Sequence, residues 1–192
     1  MNGLLEVINA GLGNSIQDAG RFGYRHMGIA VSGWLDALLA RCATVLAGSA
    51  GNDACIEMRV LGPSLQVRQG PLRLAVVGHV TPRVRRANGH LEELAAWRSI
   101  TLAAGDVIET GTVRGGVAYL ALSGGIETPP QLGSRSTYPR ARIGGIDGGL
   151  LKNGDLLRCE GLAGGRQDER QAAPWRHADG PLRVMLGPQE GH

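Results

Sequence analysis

The sequence predicts a mainly β fold, a barrel carrying one or two helices, and three observations lead there. First, 31 glycines divide the chain into short apolar runs such as Leu72-Arg73-Leu74-Ala75-Val76-Val77 and Val117-Ala118-Tyr119-Leu120-Ala121-Leu122, rich in strand-favouring residues. Second, Gly105-Asp106-Val107-Ile108 and Gly154-Asp155-Leu156-Leu157 share one pattern, a Gly-Asp turn feeding an apolar pair, expected as a tight turn entering a strand. Third, one stretch stands out for helical periodicity: Leu35, Leu38, Leu39, Cys42 and Leu46 form a single stripe, which places a helix at about residues 34 to 47. Ser32 is its expected N-cap, Asp36 falls in the first turn, where the helix dipole favours negative charge, and Gly48 is its stop.

With 192 residues, 43% hydrophobic and 19% charged, the chain is long enough and apolar enough to bury a core. No uninterrupted apolar stretch approaches the ~20 residues that cross a bilayer, and the first residues lack the basic and apolar regions of a signal peptide. A cytoplasmic location without membrane association is expected. Cys42, Cys55 and Cys159 include no Cys-x-x-Cys pair and read as structural, and the histidines show no spacing that sets two ligands on one helical face, so no metal site is expected. Of the 20 basic residues only Lys152 is a lysine. The one dense basic run, Arg83-Val84-Arg85-Arg86, lacks the aromatics on which bases stack, and reads as a solvated edge strand or loop, not a nucleic-acid surface.

Residues 1–160 read as one lobe. Residues 161–180, polar and aperiodic around Gly164-Gly165-Arg166-Gln167-Asp168-Glu169, read as a linker, and 181–192 as the start of a truncated second lobe.

The segment Ser15-Ile16-Gln17-Asp18-Ala19-Gly20-Arg21-Phe22-Gly23 resembles the Thr-x-Gln-Asp-x-Gly-Arg-x-Gly signature of the KipA family, also called allophanate hydrolase subunit 2. Further blocks follow in that family's order: Gly28-Ile29-Ala30-Val31-Ser32-Gly33-Trp34-Leu35-Asp36, Ile56-Glu57, Gly62-Pro63-Ser64-Leu65, Tyr119 to Ile126, Leu132 to Tyr138, Gly144 to Gly148, and Gly154-Asp155. Trp34, where the family has a small residue, and Gly149, where it has an arginine, are departures. The resemblance implies a cyclophilin-like β-barrel and membership of an enzyme assembly. The first activity it implies is that of the C component of an ATP-dependent 5-oxoprolinase, opening 5-oxoproline to glutamate with a KipI-like B component and the A component of the same enzyme. The alternatives are a biotin-dependent carboxyltransferase domain acting on urea or a related amide, and a non-catalytic module that binds a KipI-like protein.

The residues themselves suit a small amide or lactam bearing a carboxylate. Arginine grips carboxylate in bidentate fashion, while an aspartate and a glutamine complement an N–H and a C=O. Gln17, Asp18 and Arg21 lie together in one turn-rich segment, with an Asp18–Arg21 pair that merely closes a loop as the alternative. Arg135 between Ser134 and Ser136 forms a candidate anion loop, and Glu57 is either a paired buried acid or a general base. Asp18 and Glu57 are thus the candidate catalysts, and Gln17, Arg21, Tyr24, Ser32, Arg135 and Ser136 the candidate substrate contacts, although Tyr24 equally suits packing. Lys152 is followed by Asn153, so no Gly-Lys-Ser/Thr phosphate cradle exists, and the ATP implied by the resemblance belongs at another loop or at a site shared with a partner. No Gly-x-Ser-x-Gly elbow and no Met-Lys-Met biotin attachment sequence is present.

Overall fold

In the computed structural model, residues 2–162 and 169–174 and positions 180, 181, 184, 185 and 187 are described. They form two antiparallel sheets. One runs in the order β11 (Leu156–Glu160), β1 (Asn2–Asn9), β4 (Ser64–Gln69), β9 (Val107–Glu109), β6 (Arg83–Arg85) and β7 (Leu91–Glu93). The other runs β2 (Ser15–Gln17), β3 (Cys55–Met58), β10 (Ala118–Leu122), β5 (Leu72–Val77) and β8 (Arg98–Leu102). The two face each other across a core of Leu5, Leu65, Leu74, Leu120 and Ile108, and the isolated bridge Glu127–Arg158 ties the segment after β10 to β11 of the other sheet. The expected mainly β barrel is therefore the observed one.

Why β5 and β10 read as unbroken apolar runs is now clear: both are buried on both faces. Leu74, Val76, Leu120 and Leu122 point into the barrel, while Ala75, Val77, Tyr119 and Ala121 lie under the helix α1 (Ala37–Ala47). The two Gly-Asp turns enter β9 and β11 as expected, through Gly105 at φ 90° and Gly154 at φ 88°, a left-handed conformation that glycine adopts without a Cβ clash. Each aspartate locks its turn in the same way. Asp106 accepts from the Ala103 N–H at 3.0 Å and Asp155 from the Lys152 N–H at 2.8 Å.

The helix differs from expectation in two respects. Its N-cap is Asp36, not Ser32: the extended Asp36 backbone lets its carboxylate accept from the N–H groups of Leu38 and Leu39, both at 3.0 Å. Ser32 lies four residues earlier, at φ 54°, where the chain is still crossing the loop that follows β2. Its buried face is also rotated from the leucine stripe. Ala40, Ala43, Thr44 and Ala47 meet the sheet, while Leu35 and Leu38 are 65% and 63% exposed. Small side chains let the helix lie close on a sheet face that is itself built of Ala75, Val77 and Ala121; Leu46 is buried with them and Leu39 and Cys42 pack at the edge, while Leu35 and Leu38 are turned outward. Gly48 ends the helix as expected.

The basic run is neutralised by its neighbours: Arg83 pairs with Glu93, Arg85 with Glu109, and Arg86 with Glu92 and Asp106. Cys42, Cys55 and Cys159 are free thiols, and among the described residues no cluster has the makings of a metal site and no helix is long and apolar enough to cross a membrane. Within the expected linker, residues 169–172 run beside β8, where the Ser99 N–H donates to the Arg170 carbonyl, the Arg170 N–H donates to Ser99 Oγ and the Ala172 N–H reaches the Trp97 carbonyl. Residues 163–168 and 175–179 of that segment, and 182, 183, 186 and 188–192 of the expected second lobe, lie outside the described residues.

The rotated helix face has a measurable consequence. Leu38→Ser is expected to change unfolding stability by no more than about 0.5 kcal/mol, whereas Ala43→Leu, which overpacks the sheet contact, costs about 1–3 kcal/mol; urea unfolding of both variants checks the order.

Candidate functional site

The site begins where β2 ends. Gln17 is buried and fully engaged: its amide nitrogen donates to Ser15 Oγ at 3.0 Å and to the Thr137 carbonyl at 3.2 Å, and its Oε1 accepts the Gly33 N–H at 3.1 Å. Asp18 follows, 8% exposed, and both of its carboxylate oxygens are committed. Oδ1 accepts from Ser134 Oγ and Ser136 Oγ, each at 2.6 Å, and from the Gly20 N–H at 2.9 Å, while Oδ2 accepts the Arg135 N–H at 2.6 Å. Burial by itself pushes this carboxyl up, but the four hydrogen bonds outweigh it and hold Asp18 below the ordinary aspartate value.

Arg21 is the largest buried polar side chain here, 1% exposed. It forms no ion pair with Asp18, contrary to the loop-closing alternative. Its Nη2 donates to the Ser136 carbonyl at 2.5 Å and its Nε, more loosely, to the Gln131 carbonyl at 3.5 Å, while Nη1 is buried with no partner. Burial pulls the guanidinium down from its usual value and the charge on Asp18 partly restores it. The chain makes room for this group at Gly144, where a Cβ would fall 2.0 Å from the Ser136 carbonyl oxygen and 2.9 Å from Nη2 of Arg21.

Two stretches of chain cross at this point. The Arg21 N–H donates to the Val31 carbonyl and the Trp34 N–H to the Asp18 carbonyl, and Gly20 and Gly33 touch backbone to backbone, at φ 97° and 90°. A side chain at either position has no space. Trp34 adds its indole N–H to the Gln17 carbonyl at 2.9 Å, which gives this large residue a structural use.

Gln17, Asp18, Arg21, Arg135 and Ser136 therefore come together in one hydrogen-bonded unit. Ser32 lies against it through its carbonyl beside Gly20, and Tyr24 precedes the short 3₁₀ turn Arg25–Met27, but neither side chain makes a hydrogen bond among the described residues. Arg135 points away from Asp18, with Nε on the Thr128 carbonyl at 2.9 Å. Glu57 faces elsewhere. Its Oε2 accepts from the Leu35 N–H at 2.7 Å and the Tyr119 hydroxyl at 2.8 Å, and its Oε1 pairs with Arg59 at 2.8 Å. Tyr119 in turn accepts the Asp36 N–H at 2.9 Å, so this buried acid anchors the start of α1. Burial, with the Glu57 charge acting in the same direction, pushes the Tyr119 phenol up and keeps it a proton donor.

Sequence reasoning missed Ser134 as an Asp18 partner. The alternation Ser134-Arg135-Ser136 held the signal, since alternate residues of an extended segment face one way and the N–H between them can serve the same acceptor. It also missed Gln131, whose Oε1 holds the Gly144 N–H at 2.8 Å and whose place beside Arg21 depends on a long-range fold contact.

Beside this unit, between β11 and the 127–148 loop, lies a cavity of about 640 Å³, walled by Gln131, Gly144, Gly145 and Gly148. Residues 27–192 match the family model described as carboxyltransferase domain, subdomain A and B. The chain belongs to this carboxyltransferase domain family. Within the family it is similar to the C component of Escherichia coli 5-oxoprolinase, 33% identical over 159 residues, covering 80% of this chain and 48% of that protein. It is also similar to urea amidolyase of Saccharomyces cerevisiae, 33% identical over 155 residues, covering 80% of this chain and 8% of that protein. Among solved structures, the urea carboxylase of Kluyveromyces lactis superimposes with a TM-score of 0.74 at 34% identity, over 80% of this chain and 13% of that one. This carboxyltransferase-family chain thus spans about half the length of the free-standing relatives and a small part of the fused ones. The resemblance to the KipA family expected from the motifs is what these matches show.

The depressed Asp18 value sets a sign for acid stability. The contribution of its hydrogen bonds is fully present above the ordinary aspartate value of 3.8 and is lost as pH falls through the lower folded-state value. Asp18→Asn, which leaves donors facing an amide, is expected to cost about 2 kcal/mol or more near pH 7. That deficit relative to wild type shrinks as pH falls below about 4. Urea midpoints of the two proteins across that range check it, and a deficit independent of pH contradicts it.

Proposed function

We propose that this chain is a component of a 5-oxoprolinase-type amidohydrolase, working with a KipI-like partner to open 5-oxoproline to glutamate at the expense of ATP. Water adds across the lactam: the C–N bond breaks, the hydroxyl goes to the carbonyl carbon and a proton to the nitrogen. The observation that carries this reading is Arg21, a cation held in fixed position with one of its guanidinium nitrogens, Nη1, uncommitted. A buried N–H without a partner costs about 1–3 kcal/mol, a cost that a bound carbonyl or carboxylate oxygen removes. In this reading Arg21 binds the substrate, and Asp18 is the positioning residue that acts through Ser134, Ser136 and the Arg135 backbone. Gln17 and Glu57 brace the two ends of the crossing, and Tyr24, Ser32 and the Arg135 side chain border the substrate's approach.

ATP supplies the driving force for hydrolysing a stable amide. The glycine loop beside the site suits its phosphates poorly, because the N–H groups of Gly144, Gly145 and Gly148 are already bonded to Gln131 Oε1 and to the carbonyls of Arg135 and Gly144. We therefore place ATP on the partner or at a joint site. A carboxyltransferase acting on urea or a related amide is the second reading, favoured by the likeness to urea carboxylase at 34% identity.

Co-expression with a KipI-like partner, followed by an assay of ATP-dependent 5-oxoproline loss, separates the two readings. The expected result is turnover that requires both chains and falls at least about a hundredfold in Arg21→Ala, provided the variant keeps its thermal transition. Incorporation of labelled bicarbonate into urea, with no loss of 5-oxoproline, would replace the first reading by the second.

A further inference from the structure

Four charged side chains stand around the cavity next to the Asp18–Arg21 unit: Arg142, Arg158, Glu127 and Asp147. Among the described residues none of the four is in an ion pair. Six exposed or half-buried arginines elsewhere, Arg59, Arg68, Arg83, Arg85, Arg86 and Arg98, each find a carboxylate.

Two orphaned polar atoms belong to the same place. The Thr128 hydroxyl, in the cavity wall, is buried with no hydrogen-bond partner. Arg21, whose Nη1 is likewise orphaned, is held by the Gln131 carbonyl and packed under Gly144, and both of those residues line the cavity. Few buried polar atoms in a folded protein lack a partner, so two such atoms, Thr128 Oγ1 in the wall and Arg21 Nη1 behind it, point to a ligand at this cavity. The backbone of the loop is already spent, with Gly144, Gly145 and Gly148 bonded internally, so the binding chemistry resides in side chains. Guanidinium groups flanking an opening, with a hydroxyl in the wall, form a receptor for a planar carboxylate, and the unpaired rim acids suit an N–H beside it.

We infer that this cavity is the subsite for the carboxylate of a small cyclic amide acid, and that Arg142 and Arg158 are the residues that select it over a neutral amide such as urea. The inference rests on the amidohydrolase reading above and names two side chains outside the set expected from sequence. Both arginines are exposed, so replacing either leaves the core intact. A carboxylate and an inorganic phosphate share this chemistry, and the experiment tells them apart.

The test titrates the 192-residue chain with 5-oxoproline, with 2-pyrrolidone (the same lactam without its carboxylate) and with inorganic phosphate, by calorimetry, for wild type, Arg142→Ala and Arg158→Ala. Expected is binding of 5-oxoproline that weakens by about tenfold or more in each variant, with 2-pyrrolidone bound more weakly and equally by all three. Equal 5-oxoproline affinity in wild type and both variants, or no binding to wild type, overturns the inference. Phosphate binding as tightly as 5-oxoproline and equally sensitive to the variants replaces the carboxylate by a phosphate. Turnover by the partnered protein that is unaffected by both variants sinks the subsite and spares the function, whereas variant-sensitive binding without turnover does the reverse.

Discussion

The fold converges on one buried carboxylate. Asp18 sits at the end of β2 and accepts four hydrogen bonds, two of them from serines more than a hundred residues away in sequence. Those bonds fix the 134–136 segment against the barrel mouth, and the carbonyl of Ser136 then holds Arg21. Through its own carbonyl Asp18 receives the Trp34 N–H, so the same residue sets where the chain approaches α1. Glu57 and Tyr119 complete that approach by binding the N–H groups of Leu35 and Asp36. Site and helix are therefore parts of one network.

This arrangement uses burial in two opposite senses. Asp18 is buried and overcompensated, with every oxygen occupied, and its charge is stabilised by neutral donors instead of a cation. Arg21 is buried and undercompensated, with its charge intact and its Nη1 without an acceptor. A carboxylate with both oxygens engaged is suited to holding geometry, and a cation with a free Nη1 is suited to binding. The same asymmetry repeats at the neighbouring cavity, where backbone groups are satisfied and side chains are not.

Much of this was legible in the sequence where local chemistry decides the outcome. The Gly-Asp turns, the twice-buried strands β5 and β10 and the glycine stop of α1 follow from short-range rules. The helix face did not, because hydrophobic size marks Leu35 and Leu38 whereas the sheet beneath selects for close approach by Ala40, Ala43 and Ala47. Ser32 looked like a cap because residue type was visible and backbone conformation was not; at φ 54° it cannot serve as one. In the site, the motif around Gln17, Asp18 and Arg21 marked the right segment, yet the partners of Asp18 lie in a loop 116 to 118 residues further on, and only the folded chain brings them there.

Asp18 is the tie between distant segments, and amide hydrogen exchange in Asp18→Asn tests that most directly. The Gly20 and Arg135 N–H groups both end on this carboxylate, while the Trp34 N–H ends on the Asp18 backbone. Accelerated exchange at all three together, with the β5 and β10 amides still protected, is the predicted result. Faster exchange confined to Gly20, its immediate neighbour, would show that the 134–136 segment and the approach to α1 are held by something else, and would contradict the account.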